Sequence, residues 1–161
     1  MASTVKELKL WQEAVILGGE VVRAIRQENR REHKAFGDVI MLESASVATL
    51  IADGYGRYDS GEQQRCYRSA RSALATLETR LAIARHGGII SAAVLTRLNS
   101  QTAIVARLLA GYLTYIERQI AAEEQHAERG RILDDRPVRA LSPAPAAAAN
   151  EPVEQVDAPE A

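Results

Sequence analysis

Apolar residues recur at three- and four-residue steps over most of the chain, the period of one face of an α-helix, and four such segments follow one another. The first runs from about Val5 to Gln27, where Leu8, Trp11, Val15, Val22 and Ile25 form a stripe with Gly18 at the missing position. Gly18 and Gly19 allow a close helix contact or a kink. The second spans about Ala35 to Asp53, with Phe36, Ile40, Val47, Leu50 and Ile51 on one face, and Gly54 is expected as its left-handed cap. Ser60 with Gln63 three positions on resembles a capping box, so the third helix is expected to start near Gly61 and to stop after His86 at Gly87 and Gly88. Its seam is Cys66, Ala70, Ala73, Leu77, Leu81 and Ala84, small enough for a neighbour to approach closely.

The fourth segment starts after Ser91 and has the most regular pattern. Leu95, Leu98, Thr102, Val105, Leu109, Tyr112, Ile116 and Gln119 follow the spacing of a coiled-coil seam. A second row, Ile104, Leu108, Tyr115 and Ile120, widens the apolar face beyond what one neighbour needs and is the candidate oligomer interface. Short connections between four helices predict an all-α, antiparallel up-down-up-down four-helix bundle.

Proline placement sets the domain boundary. All five prolines lie within residues 137–161, and proline costs about 3 kcal/mol inside a helix. Residues 1–133 are therefore read as the bundle domain and residues 134–161 as a disordered Pro/Ala-rich tail that lacks the apolar surface to offset ordering. The net charge of −1 divides unevenly: 18 basic and 15 acidic residues give the body +3, and 2 basic and 6 acidic residues give the tail −4. No global basic excess announces a nucleic-acid binder, so any such face must be local. The single cysteine, Cys66, excludes a disulfide framework within the chain and suits a reducing compartment, which makes the cytoplasm the expected location. No unbroken apolar run of membrane-spanning length and no signal-peptide pattern is read.

Three linked motifs carry a family resemblance: LKLWQEA, with Leu8 and Trp11; IADGYGR, with Ile51, Ala52, Gly54, Tyr55, Gly56 and Arg57; and RSALATLETRLAIAR, with Ala70 outside it and Ser72, Leu74, Leu77 and Glu78 within it. Over roughly residues 5–120 the chain resembles the four-helix-bundle family of proteins encoded in the intervening sequences of bacterial 23S ribosomal RNA. It departs from the family pattern at Asp53, where glutamate is usual, at Leu50, where asparagine is common, and at Met41 and Leu42, where basic residues are frequent. The polar cluster is thereby weakened. If it serves a ligand in relatives, this chain has lost it; if it ties the second helix to the third, Asp53 suffices. The resemblance also implies likeness to the accessory variability protein of diversity-generating retroelements, hence a homopentamer, RNA, and a reverse transcriptase as partner.

The chemistry legible in the residues is charge, not catalysis. Arg57, Arg65, Arg68, Arg71, Arg80 and Arg85 face Asp59, Glu62 and Glu78 within residues 57–86. Arg65, Arg68 and Arg71 lie on adjoining turns and are candidates, with Arg57, for phosphate contact; Tyr67 or Tyr58 is available for base stacking. A solvated outer face with intersubunit ion pairs accounts for the same residues, since helical surfaces are routinely charged. Trp11 is expected to pack in the core and Cys66 to be a buried, inert thiol. Glu123 and His126 have the spacing of a di-iron bundle motif but lack its second pair, so no metal and no cofactor is expected. The glycines at 54–56 and 87–88 lack the strand and the Lys-Ser/Thr of a phosphate loop, and no acid–base pair stands out. The expected function is a noncatalytic, self-assembling accessory factor that binds nucleic acid; the alternative is a structural or protein-binding adaptor. On the first reading the acidic tail competes with nucleic acid for the arginines. Deleting residues 137–161 is then expected to strengthen binding in a gel-shift assay, and raising the salt to weaken it.

Overall fold

A computed structural model describes residues 4–27 and 31–134, with side chains as far as Arg131. Each of the four apolar segments is a helix: α1 Lys9–Gln27, α2 Lys34–Tyr55, α3 Ser60–His86 and α4 Ala92–Asp134, with single 3-10 turns at Val5–Glu7 and Arg31–His33. There is no strand among the described residues. Consecutive helices are packed neighbours and α4 closes the arrangement against α1. Contacts run in opposite residue order along neighbouring helices. Ser60 and Arg68 of α3 reach Glu123 and Glu117 of α4, and Arg80 and Cys66 of α3 reach Glu43 and Asp53 of α2. The fold is the expected antiparallel up-down-up-down bundle.

The helix ends obey local rules, though not always through the expected residue. Asp59, not Ser60, caps α3: its Oδ1 accepts the Glu62 N–H at 2.7 Å. Gln63 turns back instead to donate from Nε2 to the Arg57 carbonyl at 2.6 Å. A cap must lie outside the first helical turn, and Ser60 is already inside it. α4 starts after Ser91 as expected, and the Ser91 hydroxyl caps it by accepting the Val94 N–H. Between them, Gly88 has φ 73°, the one left-handed residue among the described residues. The Ile89 N–H bonds the Ala84 carbonyl at 2.8 Å and the Gly88 N–H that of Arg85, the paired bonds of a Schellman turn.

The core confirms most of α3 and α4 and corrects α1. On α3, Ala70, Ala73, Leu77, Leu81 and Ala84 are buried with Tyr67 and Leu74, whereas Cys66 is only half-buried. Along α4, Leu98, Thr102, Val105, Leu109 and Ile116 are buried; Leu113 takes the place expected of Tyr112, and Gln119 is exposed. On α1 the fully buried face is Leu10, Ala14, Leu17, Val21 and Ala24. Of the expected stripe only Leu8 and Ile25 are buried, while Val15 is 43% exposed and Trp11 and Val22 are half-buried. Trp11 nonetheless packs against the core. The expected stripe follows the largest side chains, which lie to one side of the true core line, and that line passes through two alanines that a close-packed interior favours.

α2 is the most apolar of the four helices. Over Arg31–Tyr55 its most apolar window has mean hydropathy 1.5 and is only 28% buried, so by length and composition alone this segment is apolar enough to cross a membrane. Its inward face is Gly37, Ile40, Ser44, Val47, Ile51 and Gly54. The buried Ser44 hydroxyl donates to the Met41 carbonyl at 2.7 Å, so no polar group is stranded there. Gly54 is not a left-handed cap but a buried helical residue, and α2 continues to Tyr55 before ending on Gly56. At the far end, α4 runs one residue past the expected domain boundary, and the rest of the expected disordered tail lies outside the described residues.

The position of Gly54 makes a prediction. A Cβ there would lie 3.1 Å from the Cys66 Cβ and 3.2 Å from the Tyr67 ring. The Cys66 Cβ is fixed to the α3 backbone and the ring is buried, so neither yields without parting the helices. Gly54→Val is expected to destabilise the protein by about 2 kcal/mol in urea unfolding.

Candidate nucleic-acid interface and the surfaces beside it

The α3 arginines fall into two groups. Arg57, in the turn before α3, donates to Asp53 Oδ1 at 2.9 Å and lies 3.5 Å from Glu62. Arg68 reaches Glu117 on α4 at 3.4 Å. Arg65 and Arg71 are exposed and have no ion-pair partner among the described residues. The structure thus leaves two cations, on turns flanking Arg68, directed at solvent. Tyr67 does not join them: at 3% exposure it is a core residue, with its ring centroid 6.1 Å from that of Tyr112. It stands one position before Arg68, about 100° round the helix, which turns its ring inward. Tyr58 is fully exposed beside the same turn.

The polar cluster of the Ile-Ala-Asp-Gly-Tyr-Gly-Arg turn does join α2 to α3. The Cys66 thiol donates to Asp53 Oδ2 at 3.3 Å while Arg57 holds Oδ1. These two hydrogen bonds, the thiol's first and then the guanidinium's, lower the Asp53 pKa below the ordinary carboxylate range. Burial, then the hydrogen bond to Asp53, raises that of Cys66, so the thiol stays protonated and a poor nucleophile. A second tie, missed in the sequence, is Arg80 to Glu43 at 2.6 Å, with both side chains mostly shielded. Glu13 similarly links α1 to α4 by accepting from Gln101 at 2.7 Å while paired with Lys9. Each pair lies across two helices far apart in sequence, which periodicity within one helix does not reveal.

Two apolar surfaces remain. On α4, Leu108 and Ile120 pack against the chain's own core, Ile104 is half-buried and Tyr115 is 58% exposed. The expected row is therefore narrower than its sequence suggests, because half of it serves α4's own neighbours. The other surface lies over the α1–α2 groove: Val22, Met41, Leu42 and Ala45, with Arg26 and Asp38, line a depression, with Leu42 73% exposed and Val39 41% exposed beside it. Val22 of the α1 stripe read from the sequence lines this groove.

Four tyrosines meet at one end of the bundle. Tyr55, Tyr67, Tyr112 and Tyr115, with Gln63, Leu8 and Ile116, line a cavity of about 380 Å³. Burial, with Tyr112 next to it, pushes the Tyr67 phenol up to about 12, and burial raises Tyr112 as well. No group of three or more His, Cys, Asp or Glu able to hold a metal occurs among the described residues. Glu123 instead accepts a hydrogen bond from Ser60.

An antiparallel bundle with a motif-bearing turn between its second and third helices defines the class: an all-α four-helix-bundle protein. The chain belongs to the 23S rRNA-intervening sequence protein family, whose model matches residues 6–111, from the turn before α1 to the middle of α4. No curated protein matches the chain.

The buried phenol supplies a test. The neutral form of Tyr67 is favoured by folding, so this contribution to stability is complete below about pH 10 and is lost as the pH rises towards 12. In an ultraviolet titration, Tyr67→Phe is expected to remove the latest-ionising phase.

Proposed function

We propose that the chain is a noncatalytic, self-assembling bundle protein that binds RNA or DNA by charge through the outer face of α3. The observation that carries this reading is the pair of exposed guanidiniums of Arg65 and Arg71, flanking Arg68 and without an ion-pair partner among the described residues. Arg57 and Arg68 share their charge with carboxylates but keep exposed donors at the edge of the same face. Contacts of this kind are largely independent of sequence and strongly salt-dependent. Membership of a family whose printed name refers to ribosomal RNA gives an RNA its place among the candidate ligands. A retroelement reverse transcriptase as partner, a pentameric ring and a cytoplasmic location are the further parts of this proposal, resting on the resemblance and on the single cysteine.

Self-association is assigned to the apolar band over the α1–α2 groove. Leu42 and Val39 are large, aliphatic and exposed, and α2 as a whole is far more apolar than its burial within one chain requires. Assembly covers this surface, whereas insertion in lipid would strand Glu43 and Arg80, which are joined across α2 and α3. A second reading, a protein-binding adaptor without nucleic acid, is favoured by the engagement of Arg57 and Arg68 in ion pairs within the chain.

One set of variants separates the readings. Changing Arg65, Arg68 and Arg71 together to Glu is expected to abolish a gel shift with structured RNA or single-stranded DNA while leaving the light-scattering mass unchanged; a retained shift defeats the nucleic-acid reading. Leu42→Glu is expected to reduce the mass towards that of a monomer, and an unchanged mass, or a monomeric parent at low micromolar concentration, defeats the self-association reading.

A further inference from the structure

We propose that the tyrosine-lined cavity and the groove continuous with it form a binding site for one nucleotide unit, with its planar base among the tyrosines and its phosphate at Arg107. The chain has seven aromatic residues, and four of them gather here. Elsewhere the core is built of leucine, isoleucine, valine and alanine, so this end of the bundle is chemically distinct. Tyr67 and Tyr112 form its inner wall, their rings tilted by 40°. Tyr115, at the mouth, is 58% exposed and not shielded by its own chain. A second hollow of about 540 Å³ shares Tyr112 and Tyr115 and continues along α4 to Leu108, Gly111 and Arg107. Both volumes fall within the roughly 300–1,000 Å³ typical of small-molecule sites.

The polar groups suit a base edge and an anion. The phenols of Tyr67 and Tyr112 are protonated at neutral pH, as tyrosines ordinarily are, and can donate hydrogen bonds. Gln63 uses its Nε2 to hold the Arg57 carbonyl, which fixes the side chain and leaves its amide oxygen as an acceptor beside the rings. Aromatic faces accept any base, because every base has a π-surface to stack. Arg107 is exposed and has no ion-pair partner among the described residues. A fork of guanidinium donors at the open end matches a phosphate. The same charge opposes the other ligand class that tyrosine cages take, an organic cation; Glu7, the one carboxylate lining the cavity, already has a partner.

This inference deepens the nucleic-acid reading but is tested apart from it. A free nucleotide and an unpaired position in a strand are the two sources of such a base. The probe is 2-aminopurine riboside 5′-monophosphate, whose fluorescence falls on stacking, added to the full chain and competed with AMP, adenosine, a short single-stranded oligoadenylate and choline. Saturable quenching reversed by AMP assigns a free nucleotide; reversal by the oligoadenylate alone assigns a strand. Tyr115→Ala is expected to weaken binding roughly tenfold. Arg107→Gln is expected to weaken AMP or oligoadenylate several-fold and leave adenosine unchanged. No quenching at millimolar probe, competition by choline but by neither nucleotide nor strand, or equal affinity in both variants and the parent overturns the site. The Arg65, Arg68 and Arg71 charge reversal is expected to leave mononucleotide quenching intact, so failure of the cavity and failure of the α3 face give different results.

Discussion

Helices lined at their contact with glycine, serine and alanine can lie nearer one another than helices lined with leucine, and α2 meets α3 along such positions. Gly54 is closed over by the Tyr67 ring and the Cys66 Cβ. On α3, Ala70, Ala73 and Ala84 keep the surface low. This proximity brings Asp53 within reach of the Cys66 thiol and Glu43 within reach of Arg80. The order of importance follows from magnitudes. A fully buried leucine or isoleucine contributes roughly 1.5–3 kcal/mol, whereas an exposed ion pair contributes about 0–1 kcal/mol. The apolar faces hold the bundle, and the polar ties select one register among those the small residues would tolerate.

The same closeness joins the fold to the surfaces discussed above. With α2 pressed against α3 through its small positions, Ile40, Val47 and Ile51 are buried, and Val39 and Leu42 are left outside. With Tyr67 turned inward to cover Gly54, a tyrosine becomes part of the cavity wall and not of the arginine face. The charged exterior of α3 and the aromatic cavity are thus adjoining products of one helix, separated by little more than a quarter turn.

Legibility in the sequence followed the physics of each element. The α4 seam from Leu98 to Ile116 was readable because one strict period continues over several turns and the side chains that repeat are the ones that are buried. On α1 the bulk-weighted pattern falls one helical position from the core line, because that line includes Ala14 and Ala24, whose small size carries no signal of burial. The α3 start was located to within a residue, but the capping atom was not, since Asp59 and Ser60 are both competent caps and only backbone geometry decides between them. Arg65, Arg68 and Arg71 were visible as a charged run, but which of them is left without a carboxylate depends on Glu117, almost fifty residues away. The tyrosine cavity draws Tyr55 from α2, Tyr67 from α3 and Tyr112 and Tyr115 from α4, so no local motif announces it.

One dimension of the molecule sets the reach of its chain end. Ser60, the first residue of α3, bonds Glu123, yet α4 continues for eleven residues beyond that point, an outrigger of about 16 Å at the helical rise. That span is about twice the distance over which physiological salt screens an exposed charge, about 8 Å. The carboxylates that follow Asp134 therefore cannot act on the bundle from their point of attachment. The reach of their field is accordingly set by how far α4 projects past Glu123, a length open to tuning by insertion or deletion within the exposed residues 124–131.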